Sequence, residues 1–252
     1  SEVYDTKLSN ILVAGNTGSG KTTLMHTILY DIMLNHSPDV LKTEIFDFTN
    51  GLFDIFSELP HCRGVHTEIS EETLSLFFKN SKAEIDRRRN LFSSVGCTSF
   101  SEYTEEKYDV TAEFVFFDGY HVFKEMYPEY EDDFVRITRE SAKYGIYFIV
   151  TVNHASDMKF RVRNNFDTVI ALRQSDRTEY SELFGIRPEF SVPMIPGRGF
   201  LMENGKLLEF QAAVCVSENG KKRKHLLKEK TEFIKRKYPL ENEIQNEVYI
   251  GH

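Results

Sequence analysis

Residues 10–22 read Asn-Ile-Leu-Val-Ala-Gly-Asn-Thr-Gly-Ser-Gly-Lys-Thr, and this stretch decides the fold. Residues 10–14 form a short apolar run that ends at Gly15. Apolar residues then recur at helical spacing between Lys21 and Asn35. The pattern predicts a buried strand, a glycine-rich turn and a helix, in that order.

The glycine-rich turn, Gly15–Thr22, matches G-x-x-x-x-G-K-[ST] at every fixed position. Its glycines let successive backbone N–H groups turn inward, and the helix N-terminus adds partial positive charge, so the turn suits a bound phosphate. We expect Lys21 to reach the β- and γ-phosphates of ATP, Thr22 to offer a hydroxyl to Mg²⁺, and Thr23 to reach the α-phosphate. The predicted nucleotide-binding residues are Asn16, Thr17, Gly18, Ser19, Gly20, Lys21, Thr22 and Thr23.

An NTPase also needs a carboxylate for Mg²⁺ at the end of a neighbouring strand, usually followed by a glutamate that orients the attacking water. The apolar run 114–117 leads into Asp118, which we predict to bind Mg²⁺ together with Thr22. A role as a simple strand-end cap is the alternative for Asp118. Gly119 comes next, and the nearest following acid is Glu125. Since a positioned base contributes about 10²–10⁴-fold in rate, the sequence predicts nucleotide binding with little turnover.

The remaining pattern indicates an α/β fold. A long helix is predicted from about residue 70 to residue 94, with the basic triplet 87–89 interrupting its apolar stripe, and the stretch 129–143 has acids first and bases last, as in a helix. Near-continuous apolar strands alternating with helices indicate a central, mainly parallel sheet with helices on both faces. Asn204-Gly205 predicts a C-terminal β-hairpin. The further predicted strands are 44–48, 114–117, 146–152 and 168–172.

Charge is distributed unevenly along the 252 residues. The net charge is −8, yet nine basic and five acidic residues give residues 221–252 a charge of +4, so the first 220 residues carry −12. Such an acidic surface argues against wrapping the backbone of DNA. From Glu218 onward the chain is charged and poorly periodic, which predicts a solvated helix or a loosely held tail. We therefore expect one domain over residues 1–217 and a charged extension over 218–252.

Several other classes of protein are disfavoured. The three cysteines are odd in number and far apart, as in a reduced cytosolic protein. His61, Cys62 and His66 come nearest to a metal cluster, but they lack a second cysteine at the usual spacing. The longest apolar run, 146–152, has the length of a strand and does not span a bilayer. Because the chain starts at Ser1 without Met, we expect a fragment of a larger protein.

With these motifs located, residues 8–215 resemble the FtsK/SpoIIIE class of motor ATPases, which implies a RecA-like P-loop NTPase fold. Within that class the chain is most similar to the C-terminal (third) ATPase domain of the EssC/EccC coupling proteins of type VII secretion, whose ATPase domains are strung in tandem on a membrane-anchored chain. The segments that carry the resemblance are Leu12-Val13-Ala14-Gly15 with the loop after it, Leu59-Pro60-His61, Glu84–Phe92, Tyr144-Gly145-Ile146 followed by Thr151–Ser156, and Pro196-Gly197-Arg198-Gly199.

Three departures from the class lie where catalysis is expected. Gly119 stands in place of the usual glutamate, Asn153 in place of glutamine, and His154 in place of arginine. Asp118 and Asn153 are therefore the candidate catalytic residues. The resemblance implies a module that binds ATP with Mg²⁺ but hydrolyses it poorly, and that holds nucleotide or recognises substrate while a sister domain hydrolyses ATP.

The resemblance also implies partners. We expect sister ATPase domains of the same chain, small helical secreted substrates of the WXG100 type, a hexamer of the parent protein, and a place as a cytoplasmic domain of a bacterial cell-membrane protein. Neither nucleic acid nor direct membrane insertion of this fragment is expected. ATP would lie between neighbouring domains and receive an arginine from the adjoining one. The possible donors are Arg139, Arg161, Arg163 and Arg177.

Two alternative functions stay open. One is a DNA translocase motor of the same class, supported by the basic run Lys221-Lys222-Arg223-Lys224. The other is a purely structural module that packs against a sister ATPase with an empty loop.

Overall fold

A computed structural model describes residues 8–106, 109–218 and 220–239, and residues 240–252 of the expected extension lie outside this range. All eight strands of the described chain belong to one sheet. The strands are β1 (Ile11–Ala14), β2 (Leu41–Asp47), β3 (Cys62–His66), β4 (Ala112–Asp118), β5 (Ile146–Val152), β6 (Thr168–Leu172), β7 (Arg198–Glu203) and β8 (Lys206–Gln211). The helices are α1 (Lys21–Asn35), α2 (Glu71–Ser94), α3 (Phe100–Glu106), α4 (Tyr120–Met126), α5 (Glu131–Glu140), α6 (Phe160–Arg163), α7 (Arg177–Phe184) and α8 (Gly220–Lys237).

The strand order, β3-β2-β4-β5-β1-β6-β7-β8, confirms the expected α/β architecture. β1 to β6 pair in parallel, and β7 and β8 form the antiparallel hairpin predicted at Asn204-Gly205, both of which have positive φ. After β1 the chain first builds the sheet on the β5 side and later adds β6 on the other side. The carboxyl end of β1 is thus a topological switch point, where open α/β sheets bind their ligands.

The core fills both faces of the sheet because the central strands are apolar at consecutive positions. In β4, Phe116 packs with Ile45 in the cluster that includes α1, whereas the next residue, Phe117, packs with Phe46 in the cluster that includes α2 and α5. All four side chains are fully buried. Burying a phenylalanine contributes about 1.5–3 kcal/mol, so these paired layers hold β2 and β4 in register.

The predicted long helix is confirmed as α2, and the middle residue of its basic triplet, Arg88, is buried in the packing. Ser70 caps the helix with its side chain. Arg88 is only 1% exposed, donates to Glu84 Oε1 at 2.7 Å and to the carbonyl of Tyr144 at 2.9 Å, and also pairs with Glu113. The apolar stripe lies on the sheet through Leu74, Phe77, Phe78, Ile85 and Phe92.

Other elements differ from the sequence prediction. The segment 129–143 is not one helix, because 3₁₀ turns at Pro128–Tyr130 and Ser141–Tyr144 flank the shorter α5. β3 occupies a stretch that reads as a polar loop, since an edge strand that is only partly buried carries little apolar pattern. The short helices α3, α4, α6 and α7 also have too few turns to give a clear period.

The described part of the C-terminal extension is a packed helix rather than a loose tail. α8 buries Leu227, Thr231 and Ile234, and Lys237 Nζ donates to the carbonyl of Leu34 in α1 at 2.7 Å. Because most other residues of α8 are charged, this narrow apolar face is difficult to recognise in the sequence. The division of the chain at residue 217 stays a prediction. Within the described ranges, no helix has the length and apolar character needed to cross a membrane.

Candidate functional site

The phosphate loop lies at the switch point, held between two strands. The N–H of Gly15 donates to the carbonyl of Val152 at the end of β5, at 3.1 Å, and the N–H of Asn16 donates to the carbonyl of Arg173 beyond β6, at 3.0 Å. Gly20 then turns the chain into α1 with φ of 103°. The residues predicted to bind nucleotide, Asn16–Thr23, therefore form one continuous turn around the N-terminus of α1.

The segment before β7 also holds the phosphate loop in place, through a backbone hydrogen bond. The N–H of Gly197 donates to the carbonyl of Ser19 at 2.7 Å. A Cβ on Gly20 would lie 2.8 Å from the backbone nitrogen of Gly197, whereas a Cβ on Gly18 would meet nothing within 4 Å. Gly20 is thus required both by its positive φ and by a close backbone approach.

Lys21 points back into the loop. Its Nζ donates to the carbonyl of Gly15 at 2.5 Å and to that of Asn16 at 3.3 Å. Burial lowers the pKa of Lys21, and the charges of Asp118 and Asp157 oppose this shift. Among the described residues no side chain caps α1. Its first N–H groups and the lysine are therefore available together for an anion such as a phosphate.

Thr22 and Asp118 form the predicted Mg²⁺ pair, with Thr22 Oγ1 and Asp118 Oδ2 3.2 Å apart. Thr151 donates to Oδ1 of Asp118 at 2.6 Å, and Thr49 donates to Oδ2 at 2.7 Å. A hydroxyl and a carboxylate are the oxygen ligands that Mg²⁺ prefers. A Cβ on Gly51 would lie 2.7 Å from Cγ2 of Thr22 and 3.1 Å from Oδ2 of Asp118. Glycine at residue 51 therefore leaves space for an ion beside Thr22 and Asp118. The site therefore fits a magnesium ion.

Asp47 is a residue of the candidate site that the sequence did not predict. It ends β2 directly beside Asp118 in the sheet register and is 2% exposed. Its carboxylate accepts the N–H of Thr49 at 3.0 Å and that of Gly51 at 2.9 and 2.8 Å. Burial raises the pKa of Asp47, these N–H groups oppose the rise, and the charge of Asp118 adds to it. Asp47 thus fixes residues 48–51, which we call the β2 loop, over the Mg²⁺ pair.

The β2 loop also fills the position of the missing glutamate. Gly119 has φ of 97°, which L side chains rarely adopt, and a Cβ there would lie 2.6 Å from Cγ2 of Thr49. Phe48 packs against the same point, 3.3 Å from that Cβ. A side chain at residue 119 would therefore collide with the β2 loop. Both the backbone conformation at residue 119 and the neighbouring β2 loop therefore favour glycine over a residue with a side chain at this position.

Asn153, the second candidate catalytic residue, lies at the end of β5 beside the loop. Its N–H donates to Oδ2 of Asp157 at 2.9 Å, and its side-chain Nδ2 is 3.2 Å from Nε2 of His121. Lys21, Asp118 and Asn153 thus lie along the carboxyl edge of the sheet, and their roles in binding and catalysis stay predictions. His121 and Asp157 had no motif of their own and join the site only through the fold.

The weak metal-cluster alternative is not assembled. Nε2 of His61 bonds the carbonyl of His36 at 2.8 Å, and Nε2 of His66 bonds Oε1 of Glu44 at 3.0 Å. Burial raises the pKa of the Cys62 thiol to about 11. Among the residues that the structure describes, no group of three or more histidine, cysteine or acidic residues could hold a metal ion.

The four arginines proposed as donors to a neighbouring domain have different surroundings. Arg161 pairs with Asp132 at 3.1 Å, Arg177 donates to a backbone carbonyl, and Arg163 lies over an aromatic ring. Arg139 is exposed on α5. Their role in trans stays a prediction.

Comparison with known proteins gives a consistent result. The model of the FtsK/SpoIIIE family matches residues 2–186. The type VII secretion system protein EssC of Staphylococcus aureus (strain NCTC 8325 / PS 47) is 30% identical over 199 residues, which cover 77% of this chain and 13% of EssC. The chain thus spans about an eighth of the length of this relative.

Two solved structures share the fold. EssC (ATPases 2 and 3) from Geobacillus thermodenitrificans has a TM-score of 0.84 and 26% identity, covering 91% of this chain and 44% of that one. EccC (ATPases 2 and 3) from Thermomonospora curvata, in complex with a signal sequence peptide, has a TM-score of 0.76 and 20% identity, covering 92% of this chain and 43% of that one. The second likeness concerns the fold alone.

Proposed function

The chain belongs to the FtsK/SpoIIIE family, and on that premise we propose that it is an ATP-binding, hydrolysis-impaired motor domain of a type VII secretion coupling ATPase. Its similarity to EssC supports the secretion system. The observation that carries the proposal is the pairing of an intact phosphate loop with a crowded catalytic position. Lys21 lies in the loop, whereas Gly119 has no room for a side chain.

ATP is the proposed ligand, with Mg²⁺ held by Thr22 and Asp118. When bound, Mg²⁺ would neutralise charge on the phosphates. The N-terminus of α1 and Lys21 would hold the phosphates, and the hydroxyls of Thr49 and Thr151 orient the carboxylate of Asp118. These contacts support tight binding, because hydrogen bonds to charged groups contribute about 1.5–3 kcal/mol each.

Slow hydrolysis is the second part of the proposal. A carboxylate next to the Mg²⁺ ligand would orient the attacking water, and Gly119 supplies none. We expect turnover to fall by about 10²–10⁴-fold relative to a site with such a base. Asn153 remains next to the loop as a polar group for the reacting phosphate.

The remaining parts of the proposal concern the parent protein. Sister ATPase domains on the same chain would complete the nucleotide site and supply an arginine, and a hexamer would repeat that contact. Small helical secreted proteins are the proposed substrates; the EccC relative itself was solved in complex with a signal sequence peptide. The parent would be a bacterial cell-membrane protein with this domain in the cytoplasm.

Titration of the purified chain with fluorescent ATP and ADP in the presence of Mg²⁺ tests nucleotide binding. We expect Lys21→Ala to weaken affinity by on the order of 100-fold, since about 1.4 kcal/mol corresponds to each factor of ten. The matched control is Lys206→Ala, at the exposed start of β8, which should bind as the wild type does. Absence of binding at millimolar nucleotide, or equal binding by Lys21→Ala, would refute the proposal.

The basic run at the start of α8 gives little support to a DNA motor. Arg223 donates to Nδ1 of His26 at 3.0 Å and to the carbonyl of Val216 at 3.0 Å, so part of that charge has a partner inside the chain. Salt-dependent DNA binding that survives deletion of residues 221–252 would favour the DNA motor instead.

A further inference from the structure

The carboxyl ends of β4 and β5 bring His121 and Asn153 together beside the phosphate loop. His121 lies in the first turn of α4, and its Nε2 is 3.2 Å from Nδ2 of Asn153. Asn153 directly follows Val152, whose carbonyl accepts the N–H of Gly15, the first residue of the loop. The histidine and the asparagine therefore lie at the switch point where the loop would hold a phosphate.

Asp157 fixes the asparagine near the lysine of the loop. Oδ2 of Asp157 accepts the N–H of Asn153 and that of His154, both at 2.9 Å. Burial lowers the pKa of Lys21, and the charges of Asp118 and Asp157 oppose that shift, so both acids lie within electrostatic range of its ammonium group. Because this ammonium group is the one expected on the β- and γ-phosphates, Asn153 borders the end of the site where phosphoryl transfer would occur.

The ring of His121 has an unusual set of partners. The amide of Asn153 is placed with its nitrogen toward the ring, which assigns Nε2 as the acceptor of this pair and leaves the ring proton on Nδ1. Nδ1 is buried and has no hydrogen-bond partner among residues 8–106, 109–218 and 220–239. A buried polar atom without a partner costs free energy, and in native structures such an exception calls for a reason such as catalysis. The other ring nitrogen, Nε2, contacts the side chain of Asn153 at the end of β5.

The neighbouring residues Gly119, Tyr120 and Glu125, which also follow β4, are less suited to this position than His121. Gly119 has no side chain, and the hydroxyl of Tyr120 is directed to Oε1 of Glu131 at 3.5 Å. Glu125, the next acid along the chain, is exposed to solvent. His121 is thus the titratable side chain of α4 that contacts a candidate catalytic residue of the site.

We propose that, in the slow hydrolysis that remains, the attacking water displaces the amide of Asn153 from Nε2 of His121 and passes a proton to that nitrogen while Asn153 holds the water, so that His121 partly replaces the carboxylate absent from residue 119. The inference rests on the proposed function, with ATP as substrate. The water oxygen bonds to the γ-phosphorus, and the bond from that phosphorus to the β,γ-bridging oxygen breaks with its electron pair left on ADP. One water proton passes to Nε2 of His121, and the products are ADP and inorganic phosphate. Imidazole is the commonest general base in enzymes.

The test separates binding of the ground state from binding of a transition-state mimic. The purified chain is titrated with Mg²⁺·ADP alone and with Mg²⁺·ADP plus fluoroaluminate, which mimics the transferred phosphoryl group. We expect His121→Ala and Asn153→Ala to bind Mg²⁺·ADP within threefold of the wild type, but to bind the fluoroaluminate complex at least tenfold more weakly. His121→Gln keeps a polar atom near Nε2 without a basic nitrogen, so it should bind the mimic better than His121→Ala while remaining defective in single-turnover hydrolysis.

The matched control is His225→Ala. The side chain of His225 is 75% exposed on α8, so this variant should bind the mimic and hydrolyse ATP as the wild type does. Thermal unfolding of each variant without nucleotide establishes that it is folded, and His121→Gln replaces His121→Ala if the latter is not.

Three outcomes would overturn the inference. Equal binding of the fluoroaluminate complex by the wild type and the His121 variants would exclude a role for this residue in the transition state. A wild type that binds Mg²⁺·ADP, but neither binds the mimic more tightly nor hydrolyses ATP, would refute the inference and leave nucleotide binding intact. A wild type that binds no Mg²⁺·ADP would refute the proposed function as well.

Discussion

The two ends of the nucleotide site are built in different ways. The phosphate-binding end is one continuous turn, in which Gly20 and Lys21 take the conformation that the motif requires. The catalytic end is assembled from the β2 loop and the ends of β4 and β5, and it lacks a side chain at Gly119. In this chain the turn that would hold a phosphate thus has the conformation of its motif, whereas Phe48 and Thr49 lie where a side chain of residue 119 would be.

A set of contacts around Asp47 leaves no space for a side chain at residue 119. Asp47 fixes the β2 loop through three hydrogen bonds to backbone N–H groups, and this loop brings Thr49 to Asp118 and against residue 119. Reintroducing a glutamate alone would therefore not rebuild a catalytic carboxylate. A glutamate at residue 119 would also need a change in the β2 loop that removes the contact with Cγ2 of Thr49.

The largest effect is expected from Gly20→Ala at the phosphate-binding end. Gly20 has φ of 103° and a Cβ there would press on the backbone of Gly197, so we expect a loss of about 3 kcal/mol in the free energy of unfolding. The matched control is Gly18→Ala, whose φ is also positive but whose Cβ would meet nothing, and which should lose about 1 kcal/mol. Urea unfolding without nucleotide measures both values. Equal losses would show that the contact with Gly197 contributes nothing.

A smaller effect is expected from Gly119→Ala at the catalytic end. Strain at φ of 97° and the contact with Cγ2 of Thr49 should together cost about 2 kcal/mol in the free energy of unfolding. Thr49→Ser removes Cγ2 and keeps the hydroxyl that bonds Asp118, so Gly119→Ala should cost only about 1 kcal/mol in that background. A double-mutant cycle by urea unfolding measures the difference. An additive cycle would contradict the claim that the β2 loop fills the position.

The smallest effect on stability is expected from His26, which lies in α1 and packs against the segment that follows the β2 loop. It lies one turn beyond Thr22 in α1, and its ring packs edge-on against Phe53, 4.7 Å away, just after the β2 loop. Burial lowers its pKa to about 4 from 6.5, and the charge of Arg223 adds to the shift. The unfolded chain thus takes up a proton that the folded chain excludes, so this stabilisation is complete above pH 6.5 and is lost as the pH falls toward 4.

Between pH 7.5 and pH 5.5 we therefore expect the free energy of unfolding to fall by about 1 kcal/mol through His26 alone. Urea unfolding at both values, compared between the wild type and His26→Gln, isolates this contribution. His225→Gln, at a side chain that is 75% exposed, should keep the wild-type dependence. The same slope in the wild type and His26→Gln would mean that His26 is not buried in its neutral form.

The sequence predicts the phosphate-binding end well because its determinants are local. A motif of eight residues specifies the turn, and the run 114–117 is apolar enough to locate the strand that ends at Asp118. The sequence does not predict the roles of Asp47 and Thr49, since both act on Asp118 through the pairing of β2 with β4, across about seventy residues of chain. Contacts of this kind leave no period or spacing in the sequence.

The same difference between local and long-range determinants explains which other elements the sequence predicts. α2 carries several turns of one apolar stripe and was predictable, whereas β3 is a short edge strand with half-buried residues. The contact between His121 and Asn153 joins two strand ends and has no linear signal. α8 was hard to interpret because only three of its side chains are buried among many charges.

The central claim is that this site binds ATP but turns it over slowly. A single-turnover experiment with the chain in excess over labelled ATP and Mg²⁺ measures both quantities in one sample, as the bound fraction and the rate of ADP formation. We predict that most of the ATP is bound at micromolar protein and that it is hydrolysed far more slowly than once per second. Hydrolysis at several per second, or no bound ATP at millimolar protein, would contradict the account.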